Sequence, residues 1–367
     1  MSPPVTASSA PMRNRTALSA VFLRFLATFG LAILLVALIV TFSLLLPDTF
    51  PTAFNARSIL SDKSTIAMLA LAEMVPIATN QFDLSIGYHI GLAHILVIGL
   101  QVNQGLPWPL AVAIVLAIGA FVGLVNGLLV TRAHVDAFIA TLGVGTVLYG
   151  VSFWYAPVQI VGTLPEGFDR ISSNPSGIPL PFVYVVVISA LLFMMFEYLP
   201  LGRYLYFLGA NPRAAELTGI SARKYIPFAF VVSGVITAFA GVVLGSRLGV
   251  AQTTVGPDYL LPAFVGALLG STAIKPGRVN VLGTIVAVFV LAIAVAGLQQ
   301  MGAQFFVEPL FNGSMLVLAV GLAAYASRRR TQIRARDERS TAAILPNEAP
   351  RGQPVMSGGG ESNQRLR

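Results

Sequence analysis

Glu73, Asp83, Ser85, His94 and Asn126 sit inside or beside long apolar runs of this chain. An ionisable side chain in such a setting costs about 2.5 kcal/mol or more unless it faces water or finds a partner. Three kinds of chemistry are open to such residues. Carboxylates and imidazoles can relay protons, polar groups can hydrogen-bond the hydroxyls of a passing solute, and any of them can bond a neighbouring helix, contributing about 1 kcal/mol. Glu73 lies deepest within its run and is the first pathway candidate. His94, Asn126, Gln299 and Gln300 fit either a solute contact or a plain interhelical bond.

Two polar segments interrupt the apolar pattern. The first is Asn80-Gln81-Phe82-Asp83-Leu84-Ser85-Ile86-Gly87. Asp83 is placed to cap the helix that follows, accepting from the amides of Ser85 or Ile86, which contributes about 0.5 to 2 kcal/mol. Irregular backbone at membrane depth is tolerated only against protein or a water-filled path. Asn80, Gln81, Asp83 and Ser85 are therefore gate candidates as well as structural ones. The second segment, Asn211-Pro212-Arg213-Ala214-Ala215-Glu216-Leu217-Thr218-Gly219, has a capping Asn, Pro in the first turn, two helix-favouring alanines with Glu216, and a terminating Gly. It predicts a short helix, suited either to a groove on a soluble motor protein or to the lipid headgroups.

Other chemistry is absent from the sequence. Lys63, Lys224 and Lys275 follow Asp62, Arg223 and Ile274, so no lysine completes a Walker A motif. His89, His94 and His134 lack metal-ligand spacing, and there is no cysteine to form a disulfide, a thiolate nucleophile or a thiolate metal site. No G-x-S-x-G or H-E-x-x-H motif occurs. A covalent catalytic step is not expected.

The elements that must position these residues follow from composition. Of 367 residues, 56% are hydrophobic and 10% charged. The apolar residues gather into runs long enough for a helix to cross roughly 30 Å of hydrocarbon, without the alternation of a β-barrel. The expected fold is an all-α polytopic membrane protein with about ten transmembrane helices, near residues 20–46, 58–79, 84–102, 108–131, 138–160, 181–199, 225–247, 259–273, 280–301 and 308–326. Spans two to five and seven to ten run in opposite directions, which permits an inverted repeat.

The formal charge of +8 does not call for nucleic acid, since nine of the 23 Lys and Arg residues lie beyond Ser327 and most others fall in short loops. With the N-terminus inside, one side carries Arg13, Arg15, Arg132, Arg203, Arg213, Arg223, Lys224, Lys275, Arg278 and Arg328 to Arg330. The other keeps Arg57, Lys63, Arg170 and Arg247. The positive-inside rule then makes both termini cytoplasmic. The expected organisation is a cytoplasmic tail (1–19), a transmembrane domain (20–326) with a cytoplasmic loop at 200–224, and a disordered cytoplasmic tail (327–367). The external loop Val161 to Pro181 holds Glu166, Asp169 and Arg170 and reads either as a partner-facing segment or as a connector.

With these segments in view, the chain resembles the permease subunits of bacterial ABC importers for ribose, xylose and related monosaccharides, grouped with the autoinducer-2 permeases. The family's Gly-Gly-Ile-Asp-Leu-Ser-Val-Gly stands here as Asn80 to Gly87. Phe138-Ile139-Ala140-Thr141-Leu142-Gly143 follows Gly123-Leu124-Val125-Asn126-Gly127. The Asn211 to Gly219 loop is followed by Ser233-Gly234, Arg247-Leu248-Gly249, Gly256, Tyr259, Gly277-Arg278 and Val281-Leu282-Gly283-Thr284. The resemblance runs from about Phe54 to Tyr325 and departs at Asn80-Gln81, where the family has paired glycines, and at Asp136-Ala137, where it has Pro-Pro.

The resemblance implies a permease of the bacterial inner membrane that imports a monosaccharide or sugar-like solute. Its implied partners are a periplasmic solute-binding protein, a second permease copy or homologous permease, and a cytoplasmic ABC ATPase. That ATPase docks on Asn211, Pro212, Arg213, Ala214, Ala215, Glu216 and Gly219. ATP and Mg belong to the ATPase, and this chain holds no cofactor. The alternatives are an ABC permease for nucleosides or amino acids, and a proton-coupled transporter relaying through Glu73 and His94.

Overall fold

The computed structural model describes residues 14–318 and Gly321. The chain up to Gly321 forms one compact unit. Most of the expected N-terminal tail, and the C-terminal tail from residue 327, fall outside the described residues.

Twelve helices are present among the described residues: α1 (Asn14–Leu45), α2 (Ala53–Ile77), α3 (Ile86–Val102), α4 (Trp108–Thr131), α5 (Ala137–Tyr155), α6 (Leu180–Glu197), α7 (Pro200–Ala210), α8 (Pro212–Leu217), α9 (Ala222–Leu248), α10 (Leu260–Gly270), α11 (Val281–Gln300) and α12 (Val307–Leu318). Apart from α7 and α8, each corresponds to one expected span. Six of them, α1, α4, α5, α6, α9 and α11, are long and apolar enough to cross a membrane. Of the rest, α2 carries Arg57, Asp62, Lys63 and Glu73, while α3, α10 and α12 are short.

Boundaries shift where local chemistry demands it. Helix α1 starts at Asn14, ahead of residue 20, because neither Gly nor Pro interrupts the chain between Asn14 and Gly30. Helix α5 stops at Tyr155, short of residue 160, because Pro157 forces Ala156 out of the helical region, to φ −139°. The span expected at 259–273 is an 11-residue helix, entered through a 3-10 turn at Gly256–Tyr259. Helix α7 was not foreseen. Pro200 occupies its first turn, and Gly202, Leu205 and Leu208 form its buried face.

The bundle is built around α9, which packs on α2, α3 and α4. The α4–α9 crossing rests on glycine. A Cβ on Gly123 would stand 2.2 Å from Phe230 O, and one on Gly234 would stand 2.3 Å from Gly119 O. Close backbone approach replaces the hydrophobic drive that lipid removes. Gly241 and Gly245 likewise seat α9 against Ala93 and Val97 of α3.

The loop between α5 and α6 is folded against the bundle. Phe168 is fully buried, and Ser246 Oγ of α9 donates to its carbonyl at 2.8 Å. Ile160 and Ala251 exchange backbone bonds of 3.0 Å. Glu166, Asp169 and Arg170 remain exposed on the loop's surface.

Replacing Gly123 by Val places a branched side chain against backbone that cannot yield, a change expected to destabilise the bundle by about 1 to 3 kcal/mol. Gly143→Ala on α5, where a Cβ meets nothing within 4 Å, should be neutral. Thermal unfolding of both variants in detergent checks the contrast.

Candidate gate and coupling surface

Helix α2 ends beneath a break in which side chains replace the missing helical partners. Pro76 occupies its last turn, Thr79 Oγ1 donates to Pro76 O at 2.8 Å, and Asn80 turns the chain at φ 59°, a left-handed conformation that Asn tolerates. The chain then passes through Phe82, Asp83 and Leu84 before α3 begins at Ile86.

Asp83 is the hub of this break. Its Oδ1 accepts from Ser85 N at 3.0 Å, Ser85 Oγ at 2.5 Å and Asn126 Nδ2 at 3.3 Å. Its amide donates to Glu73 Oε1 at 3.1 Å. Asn126 Nδ2 also donates to Ser85 Oγ at 2.9 Å. Thr141 Oγ1 of α5 accepts from Leu84 N at 3.0 Å and donates to Ala137 O at 2.7 Å. Glu73, Asp83, Ser85, Asn126 and Thr141 are all at most 1% exposed. A single polar knot thus joins α2, the break, α3, α4 and α5, and in a low-dielectric interior its members strengthen one another.

The structure brings Glu73, Asp83, Ser85 and Asn126 together and leaves the other sequence candidates apart. His94 Nε2 lies 2.7 Å from Val250 O. Gln299 Nε2 donates to Glu308 Oε2 at 3.2 Å, and Gln300 Nε2 to Asn55 Oδ1 at 2.6 Å. Thr141 was overlooked as a site residue. Its only sequence signal is a hydroxyl within the run Phe138 to Gly143.

Below the break lies the helical loop. Asn211 Oδ1 accepts from Ala214 N at 3.0 Å to start α8, Gly219 takes φ 84° just beyond it, and Ala215 is buried. Arg213, Glu216 and Leu217 face outward, Leu217 being 90% exposed.

Helix α7 sits directly on the end of α2, since a Cβ on Gly209 would stand 2.3 Å from Ala78 O and 3.2 Å from Asn80 N. Tyr206 OH donates to Val279 O at 2.8 Å, its ring lies 4.7 Å beneath Arg278, and burial pushes its phenol up to about 12, so it remains a donor at neutral pH. Glu197 pairs with Lys275 and, at 3.9 Å, with Arg278. Asn80, Tyr206, Gly209, Ser271 and Arg278 line a cavity of about 410 Å³ between these parts. Helix α7, the helix break and the α10–α11 turn therefore meet around one cavity.

Residues 55–323 match the family model described as the branched-chain amino acid transport system / permease component. The chain belongs to this permease family. It is 32% identical to the ribose import permease protein of Escherichia coli K12 over 296 residues, 78% of this chain and 91% of that one. The ribose import permease protein of Haemophilus influenzae is 31% identical, with 81% of this chain and 93% of that one covered. The galactose/methyl galactoside import permease protein of Escherichia coli K12 is 28% identical, with 82% and 95% covered. No solved structure matches. As a member of this family the chain is a membrane-embedded transport subunit.

Asn126→Leu removes both amide donations and leaves Asp83 and Ser85 short of partners in the core of this permease. It should destabilise the protein by about 1 to 3 kcal/mol. Unfolding in detergent at neutral pH checks this, and unchanged stability would show that the knot contributes nothing net.

Proposed function

We propose that this permease is the membrane-spanning subunit of an ABC importer that carries a monosaccharide or sugar-like solute into the bacterial cytoplasm. The observation that carries the reading is similarity to ribose and galactose import permeases over about nine tenths of their length. The distribution of Lys and Arg supports an orientation in the inner membrane with both termini, α7 and α8 on the cytoplasmic side.

In this reading α8 is the coupling helix. An ABC ATPase binds Arg213, Glu216 and Leu217, and its ATP-driven closure displaces α8 and α7 together. Because Gly209 rests on Ala78 O, the end of α2 moves with them, and Asn80, Gln81 and the break change position at the cytoplasmic end of the solute path. The Asp83 knot keeps the break attached to α3, α4 and α5 throughout the movement, so the helix ends shift as a group. ATP and its Mg are held by the ATPase, consistent with a chain that has no Walker A sequence. A periplasmic binding protein delivers solute at the opposite face, and a second permease copy or a homologous one completes the pathway.

The description of the matching family favours a second reading, in which the solute is a branched-chain amino acid. Among the described residues Glu73 bonds the amide of Asp83 and His94 lies against Val250 O, and no hydrogen bond links the two as a proton relay between them would use.

The test is to purify the tagged chain from native membranes in mild detergent and measure copurifying ATPase activity, with Glu216→Arg as the comparison. The importer reading predicts that ATPase accompanies the wild type, falls at least fivefold with Glu216→Arg, and that uptake of labelled ribose or galactose survives an uncoupler. Uptake that collapses with the uncoupler and no associated ATPase would contradict it. Uptake of leucine but neither sugar would establish the amino-acid reading.

A further inference from the structure

At the end of α2 and α9 remote from α7 and α8 lies a cavity of about 730 Å³, within the usual size range of small-ligand sites. Its walls come from α2, the end of α9, the 3-10 turn before α10, α10 itself and α12. The polar groups around it are held in place before any ligand arrives. Arg247 Nη1 donates to Ser61 O at 3.1 Å and Asp62 Oδ1 at 3.2 Å. Lys63 Nζ donates to Glu308 Oε1 at 3.0 Å, while Glu308 Oε2 accepts from Gln299. Asn312 also lines the cavity. It is 4% exposed, and its side-chain amide has no hydrogen-bond partner among the described residues.

Two cations, Lys63 and Arg247, and three carboxylates, Asp62, Asp258 and Glu308, share the wall with Tyr259 and Phe305. Lys63 and Arg247 are already paired with Glu308 and Asp62, and Asp258 is left over, so the wall carries one net negative charge and does not suit an anion. These groups do offer donors and acceptors side by side, which suits the adjacent hydroxyls of a neutral polyol, and an aromatic face suits the apolar side of a sugar ring. The amide of Asn312 supplies both a donor and an acceptor that no other described residue uses.

We propose that this cavity is a low-affinity vestibule for a free monosaccharide, through which the solute passes between delivery and the gate. The proposal rests on the sugar-import reading above. Asn312 fixes one hydroxyl, Asp62, Glu308, Lys63 and Arg247 take others by shared bonds, and Phe305 covers the ring. Weak binding is a requirement of the position, since a solute held tightly here would not move on.

Saturation-transfer NMR on the full chain in lipid nanodiscs, with D-ribose and D-galactose as probes, tests it alongside uptake by cells expressing the native system. At least one of the two sugars should bind with a millimolar dissociation constant. Asn312→Leu should weaken binding tenfold or more. Phe305→Ala should weaken it at least threefold, and with its side chain 87% exposed this variant leaves the packing intact. Cells that import a sugar whose binding to the chain is undetectable, or undiminished in both variants, would overturn the vestibule and leave the import reading standing. Cells that import neither sugar would overturn the reading on which the vestibule rests.

Discussion

A helix that breaks inside a membrane bundle must have its exposed backbone groups satisfied by protein, because the surroundings offer no water to do it. In this permease the obligation falls on the segment between α2 and α3, and Glu73, Asp83 and Thr141 discharge it by accepting from the amides of Asp83, Ser85 and Leu84, while Ser85 and Asn126 hold the Asp83 carboxylate in place. Removing the side chain of Glu73, Asp83 or Thr141 leaves the amide of Asp83, Ser85 or Leu84 unpaired. The polar residues that stand out in the sequence as anomalies in lipid are thus, in the first place, the condition for having a break at all. A break held by side chains can be displaced without unravelling a helix, which is what a gate requires.

The second constraint is contact between backbones. Gly123 and Gly234 let α4 and α9 touch, and Gly209 lets α7 rest on the carbonyl of Ala78. Contacts without intervening side chains transmit displacement with little slack, since neither side has a rotamer that can absorb it. Glycine therefore serves two ends here, holding the bundle together in lipid and linking α7 to the break. The charged and aromatic clamp of Glu197, Lys275, Arg278 and Tyr206 brings the α10–α11 turn into the same unit.

Much of this was legible in the sequence because it is local. Apolar length located ten of the twelve helices, and the cap of α8 could be read from Asn211, Pro212 and Gly219 as they stand in line. Helix α7 escaped notice because its apolar face of Leu205 and Leu208 is short and interrupted by Tyr and Arg. The shortness of α10 depends on Gly256 and Pro257, which mark a turn without fixing how far the helix beyond it runs. The joining of Asp83 with Asn126 and of Leu84 with Thr141 spans 43 and 57 residues, and no local pattern specifies which distant polar groups will meet. For the same reason Glu73 could be singled out as costly while its partner, the amide of Asp83, could not be named.

The central claim is that movement passes from α8 to the break through the seat of Gly209 on Ala78. Gly209→Val, assembled with its ATPase in proteoliposomes, tests it by uptake per ATP hydrolysed. The account predicts that the complex still copurifies and hydrolyses ATP while uptake per ATP falls at least tenfold. Wild-type uptake per ATP in this variant would contradict it.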